Sequence, residues 1–304
     1  MHHIEWVARD RLDKFEEQIR SVERSEFLAA STLAALRCIN DEVATLRSEL
    51  TVAAAREDLE YLHNHVIKIN QKIFSLTNYL GILLRSTNLR NSFEAYFSFE
   101  EMALALMGDA DRLILSSEWD SNPFYIPSPP AALSDFVIIG IPAFASRNSL
   151  LLPLAAHELS HAVWRQKDLN SLLNLEADKA FRAIIDANEP KFKRDLSLKN
   201  DLFSRTRKEN IVSECLKLVS SQCQEMFCDL LGASIFKESY VYAFDAFLTP
   251  GSGWRDPSYP SFSNRAKYII RAALPNSGDL RTGVLDLIEE SPPNRCRSHS
   301  SIRG

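Results

Sequence analysis

Proline and glycine are nearly missing from the first two fifths of this 304-residue chain. All 13 prolines lie at or after Pro123, and the only glycines before it are Gly81 and Gly108. A stretch with so few helix breakers predicts long helices. We therefore expect residues 1–120 to form a helical or coiled-coil region and residues 121–290 to form a separate domain.

Several other features are scarce, and each excludes a class of protein. The five cysteines are scattered without a C-x-x-C pair, which fits reduced thiols in the cytoplasm better than a disulfide framework. Lys and Arg number 35 against 40 Asp and Glu, and this acidic balance argues against a nucleic-acid partner. No apolar run approaches the roughly 20 residues of a membrane span, and no secretory signal is visible. We expect a cytoplasmic globular protein with neither membrane nor nucleic acid as its partner.

Apolar residues recur at alternating steps of three and four in the second half of the helical region. This spacing predicts a long helix that is buried against another helix. Two arrangements fit, an antiparallel hairpin within the chain and an intermolecular coil that forms a homodimer or holds a partner. We favour the hairpin, with a turn near Ser48–Ala53, because packing within a chain is the commoner use of such spacing. One unbroken helix is the further alternative. The apolar set, called the heptad seam below, comprises Leu59, Leu62, Val66, Ile69, Ile73, Leu76, Leu80 and Leu83.

The chain changes character after residue 122. Four prolines within residues 123–130 predict an extended connection. The β-branched run over residues 135–141 ends at Pro142 and predicts a strand. Residues 291–304 carry three arginines and no acid, which predicts a disordered basic tail. The predicted fold class is therefore mainly α, with a small sheet in the second region.

The motif His-Glu-x-x-His, at His157, Glu158 and His161, lies in a segment that is otherwise apolar. Positions i and i+4 share a helix face, so both imidazoles can bind one metal ion. Two histidines and a glutamate in a buried helix are costly unless a metal satisfies them. Glu158 lies beside the first ligand, where it can act as a general base, and the motif is a general signature of zinc proteases. The alternative is a helix with two incidental histidines.

A catalytic zinc site needs a third protein ligand, and two glutamates are candidates. Glu225 is followed by Asp229 at i+4, so one carboxylate can bind the metal while the other hydrogen-bonds to a ligand imidazole. Glu176 has Asp178 two residues later, and these side chains point about 200° apart on a helix. We therefore predict Glu225, rather than Glu176, as the third ligand.

The pattern His157-Glu158-x-x-His161, followed by Glu225-x-x-x-Asp229-x-x-Gly232, resembles the gluzincin zinc metallopeptidases. A group of uncharacterised bacterial members is similar to this chain over roughly residues 135–271. The resemblance implies that residues 121–290 form a zincin-like metallopeptidase domain. It also implies that His157, His161 and Glu225 hold Zn²⁺, and that Glu158 is the general base in hydrolysis of a peptide or protein substrate.

The resemblance assigns further roles around the metal. Asp229 is expected to orient a ligand histidine, namely His157. Tyr240 and Tyr259 are candidate donors to the developing oxyanion, together with Tyr242. Related peptidases often have histidine where this chain has Tyr259.

Two further expectations concern the use of the site. The strand predicted before the motif is expected to form a wall of the cleft, with an exposed edge that pairs with an extended peptide. The alternative function is a non-catalytic interaction protein that keeps a structural metal site on a peptidase fold. Glu158 favours the enzyme, because a purely structural site does not need a base.

Overall fold

The structure is a computed structural model and describes most of the chain. The described residues are 3–56, 58–88, 91, 93–108, 111–120, 122–144, 148, 152–188, 202–248 and 257–274. The predicted tail, residues 291–304, lies outside them. The chain divides into two compact units, Met1–Val163 and Trp164–Gly304. The domain boundary predicted after residue 120 therefore falls inside the first unit.

The described residues form nine α-helices and three strands, so the predicted mainly α fold with a small sheet is confirmed. In the first unit the elements are α1 (His3–Glu23), α2 (Ala30–Ala54), α3 (Leu59–Leu84), α4 (Phe93–Met107), β1 (Leu113–Glu118), β2 (Phe124–Tyr125), a short 3-10 helix (Ala131–Leu133) and β3 (Val137–Pro142). Helix α5 (Leu152–Gln166) runs across the boundary, and the second unit continues with α6 (Leu169–Ala187), α7 (Leu202–Phe236), α8 (Glu238–Leu248) and α9 (Phe262–Ala273).

Helices α1, α2 and α3 pack against one another as a three-helix bundle. The heptad seam lies in the core of this bundle, apart from Ile73, which is partly buried against it, and Leu59, which is exposed. The turn predicted near Ser48–Ala53 is wrong, because α2 continues through that segment to Ala54. The next helix begins after Asp58, whose carboxylate accepts a hydrogen bond of 3.0 Å from the Tyr61 backbone N–H. The segment between α2 and α3 contains no glycine or proline, and α3 begins instead with Asp58 as its side-chain N-cap.

We expect the substitution Ile69→Ala to destabilise the protein strongly. Ile69 is fully buried in the bundle core, and truncation of such a residue costs about 2–5 kcal/mol. The matched control is Phe74→Ala on the same helix, because Phe74 is 74% exposed. Urea unfolding followed by circular dichroism measures both. A midpoint that rises with protein concentration would support a homodimer held by the seam, whereas a constant midpoint fits packing within the chain.

The strand order of the sheet is β1-β3-β2. The predicted strand is confirmed as β3, which pairs parallel with β1 and antiparallel with β2. The prediction that this strand has an exposed edge is wrong, because Ile139 and Gly140 have paired neighbours on both sides. A side chain at position 140 would overlap the ring of Phe124. Glycine at this position therefore lets β2 lie close to β3 and occupy the edge.

The two faces of the sheet pack into two different hydrophobic cores. Ile114 and Ile138 belong to the core of the helical bundle. Leu115 and Ile139, the next residues along the strands, belong to a second core with α4 and α5. This alternation follows from the two-residue period of a strand. It places α5 against the face of the sheet opposite the bundle.

The second unit is built around α7, which packs against α6, α8 and α9. The turn from α7 to α8 is a single residue, Lys237, in the left-handed region with φ of 53°. This turn lets α8 fold back so that Tyr240 and Phe244 share a small core with α9. Across the described parts of both units, every helix is too short or too polar to cross a membrane.

Candidate metal centre

One side of helix α5 packs against the sheet, and the other side carries the two histidines of the motif. Ala155 and Leu159 face the sheet and pack into the core there. His157 and His161 lie on the other side of the helix, because each is offset from the first two by more than a quarter of a turn. The centroids of the two imidazole rings are 5.0 Å apart and the rings are nearly perpendicular, at 80°. His157 and Glu158 are only 8% and 9% exposed, and His161 is partly buried, so the predicted burial is confirmed for His157 and Glu158.

Tyr125 of strand β2 supports His161. The two rings are nearly parallel, at 7°, with centroids 6.1 Å apart. The sequence did not reveal this partner, because β2 has only two residues and lies in the proline-rich segment predicted to be an extended connection. The short strand therefore brings an aromatic side chain to the metal motif.

The last turn of α5 is fixed to α6 and α7. The indole N–H of Trp164 donates a hydrogen bond of 2.9 Å to the side-chain oxygen of Asn170. Ser220 donates to the same oxygen at 2.6 Å. The Trp164 ring also packs against Phe227, with centroids 5.3 Å apart. These contacts hold the end of the motif helix against the middle of α7.

Within the described residues, one group of three side chains could hold a metal ion, namely His157, His161 and Cys228. Their ligand atoms all lie within 4.8 Å of one another, and Cys228 is fully buried. Imidazole nitrogen and thiolate sulfur are donors that Zn²⁺ prefers, so this donor set fits zinc. Sequence reasoning missed Cys228 because it considered cysteines only as pairs. The available signal was its position three residues after Glu225, on the same helix face.

The two glutamates predicted as third-ligand candidates have different surroundings. Glu225 lies outside this group of three, and its carboxylate is 3.8 Å from an amino group of Arg265. Its role as a ligand stays a prediction. Glu176 lies on α6 with a 74% exposed side chain and pairs with Lys179 at 2.9 Å. That exposure makes Glu176 a solvent-facing residue of the helix.

Asp229 is the centre of a buried hydrogen-bond network in the second unit. Its carboxylate accepts bonds of 2.6 and 2.9 Å from the Nε and one amino group of Arg265, and a bond of 2.9 Å from the Tyr240 hydroxyl. Burial, with the negative charge of Asp229, raises the pKa of Tyr240 well above its usual value. Burial alone would lower the pKa of Arg265, but its hydrogen bonds to Asp229 raise it above the usual value. The neutral phenol of Tyr240 therefore lies beside the ion pair formed by Asp229 and Arg265.

The network gives Tyr240 a different role from the predicted oxyanion donor. Tyr240 is 1% exposed and its hydroxyl already donates to Asp229. Its ring lies against Gly232, where any side chain would overlap it. Tyr259 is 46% exposed, and its ring centroid is 5.8 Å from the guanidinium carbon of Arg265. Its role as an oxyanion donor, and that of Asp229 in orienting His157, stay predictions.

Comparisons with models of protein families, with curated proteins and with solved structures find no match to this chain. The assignment of a function therefore depends on the geometry and chemistry of the site itself.

Proposed function

We propose that this chain is a zinc-dependent peptidase. The observation that carries the proposal is the pair of imidazoles on α5, 5.0 Å apart, with the buried Glu158 next to the first of them. Two histidines one turn apart, with a glutamate between them, provide two metal ligands and a base on one short segment. Together with a third protein ligand, this combination is what hydrolysis of a peptide bond by activated water requires.

Each residue has a separate task in this proposal. A zinc ion at such a site supplies Lewis acidity toward water and toward the carbonyl of the substrate. Glu158 takes a proton from the attacking water and passes it to the leaving amine. Glu225 of α7 is the proposed third ligand, and Asp229 orients His157. Tyr125 keeps the ring of His161 in place by stacking on it.

Strand β2 suggests how a substrate approaches. It lies at the edge of the sheet and carries Tyr125, whose ring contacts His161. An extended peptide that pairs with the outer edge of β2 passes close to that histidine. The proposed substrates are therefore peptides or unfolded segments of proteins.

A non-catalytic protein with a structural metal site is the second candidate. The observation that favours it is the thiol of Cys228 beside the two imidazoles, because structural zinc sites are rich in thiolate and fully closed. Such a site has no open position for water, and Glu158 would then have no proton to transfer.

Elemental analysis of the purified protein tests the metal. We expect about one zinc per chain and loss of that zinc in the variant His157→Ala. The matched control is His63→Ala, which changes a histidine on α3. Protein never exposed to a chelator that holds no metal would contradict both candidate functions.

A further inference from the structure

We infer that Arg265 is a positioning residue for the metal centre, and that it acts by holding the carboxylate of Glu225 in place. The inference rests on the proposed function, in which Glu225 is a zinc ligand. Arg265 lies on α9, and Glu225 lies on α7, 40 positions earlier in the chain.

The guanidinium of Arg265 is fixed by two bonds to one carboxylate. Its Nε and one amino group contact the two oxygens of Asp229 at 2.6 and 2.9 Å. A planar fork bound in this way has a defined orientation as well as a defined position. The ring of Phe244 lies 5.3 Å from the guanidinium carbon and supports it from the side.

The same amino group that contacts Asp229 also faces Glu225. The distance from this nitrogen to the Glu225 carboxylate is 3.8 Å. The side chains of Arg265 and Glu225 are only 10% and 13% exposed, so solvent screens this attraction weakly. One fixed cation therefore contacts both carboxylates on this face of α7.

The charge of Arg265 affects how the two carboxylates of α7 interact. Glu225 and Asp229 are one turn apart on α7, and two carboxylates in that arrangement repel each other. Arg265 offsets this repulsion, and the three groups together carry a formal charge of −1. A divalent metal ion carries a charge of +2, and two neutral imidazole ligands do not change it. The net negative charge of the three groups therefore attracts the metal ion. Loss of the guanidinium removes this attraction, so metal binding has to supply more of the order of the Glu225 carboxylate.

The test is a double-mutant cycle on zinc affinity in the full-length protein, measured by competition with a chelator. Arg265→Lys keeps the charge and removes the fork. We expect it to weaken zinc binding about 10–100-fold when Glu225 is present, as is typical for residues that support metal ligands. In the Glu225→Gln background the same change is expected to alter affinity by less than about twofold. This dependence on Glu225 is a result that a purely structural role would not produce.

Arg271→Lys is the matched control, because Arg271 is exposed on the same helix, and we expect it to leave zinc affinity unchanged. Equal losses from Arg265→Lys in both backgrounds would overturn the inference while the proposed zinc function stands. Wild-type protein that binds no zinc would overturn both. If Arg265→Lys does not fold, Arg265→Gln takes its place, since it removes the charge that faces Glu225 and leaves Asp229 unchanged, and it should show the same dependence on Glu225. A loss independent of Glu225 would again overturn the inference.

Discussion

Replacement of Glu158 with glutamine is expected to abolish peptide hydrolysis and to leave the metal in place. Glutamine has the size of glutamate but cannot accept a proton, and general-base catalysis contributes about 10²–10⁴-fold to rate. The side chain is not one of the ligands, so the zinc content should stay at the wild-type level. Because Glu158 is only 9% exposed, water is a poor substitute for it as a base.

The measurement is cleavage of an unfolded protein by purified Glu158→Gln, alongside its zinc content. Glu176→Gln is the matched control, because Glu176 is an exposed glutamate that pairs with Lys179, and full activity is expected for it. Hydrolysis that continues in Glu158→Gln would refute the assignment of the base. Loss of the zinc together with the activity would show instead that Glu158 helps to hold the metal.

Removal of the third ligand should lower zinc affinity by more than about 100-fold, beyond the range typical of outer partners. We expect this loss for Glu225→Ala and only a small change for Cys228→Ser. The physical reason is that the guanidinium of Arg265, anchored by Asp229, lies 3.8 Å from the Glu225 carboxylate and attracts it, so the proposed ligand is already positioned before the metal binds. Zinc affinity of each variant, measured against a competing chelator, provides the comparison.

Cobalt reports directly on the sulfur of Cys228. Co²⁺ bound to a thiolate shows an intense charge-transfer absorption in the near ultraviolet, which a site of nitrogen and oxygen donors lacks. The matched control is Cys223→Ser, five residues earlier on α7 and only partly buried. A charge-transfer band that survives Glu225→Ala and Cys223→Ser but disappears in Cys228→Ser would make Cys228 the third ligand. That result would correct the ligand set and leave both candidate functions open, because three protein ligands still leave the fourth position to water.

The features that the sequence predicted correctly are local ones. The seam predicted the burial of α3 because its spacing repeats within one helix, and the β-branched run predicted β3 because strand preference is a property of neighbouring residues. The two histidines were found to share a face for the same reason. Each of these inferences needs only the period of one element.

The features that were missed depend on residues that are distant in the chain. Tyr125 reaches His161 across 36 positions, and Asp229 meets Arg265 across the same separation. Neither pair has a spacing that a helix or strand period can reveal. The seam likewise indicated burial without identifying its partner, because α1 and α2 supply the opposing surfaces through two turns that contain neither glycine nor proline. Contacts set by tertiary packing were therefore beyond the reach of the sequence alone.

The core of the helical bundle cannot be completed until strands β1 and β3 have been synthesised. Helices α1 to α3 are adjacent in the chain, and contacts between neighbouring elements form rapidly. Their core also includes Ile114 and Ile138, however, which belong to strands made later. Ile138 leaves the ribosome about fifty residues after the end of α3, which is a delay of several seconds at typical rates of translation. The nascent bundle thus exposes an apolar surface until β3 arrives, and this is the interval in which a chaperone would recognise the chain.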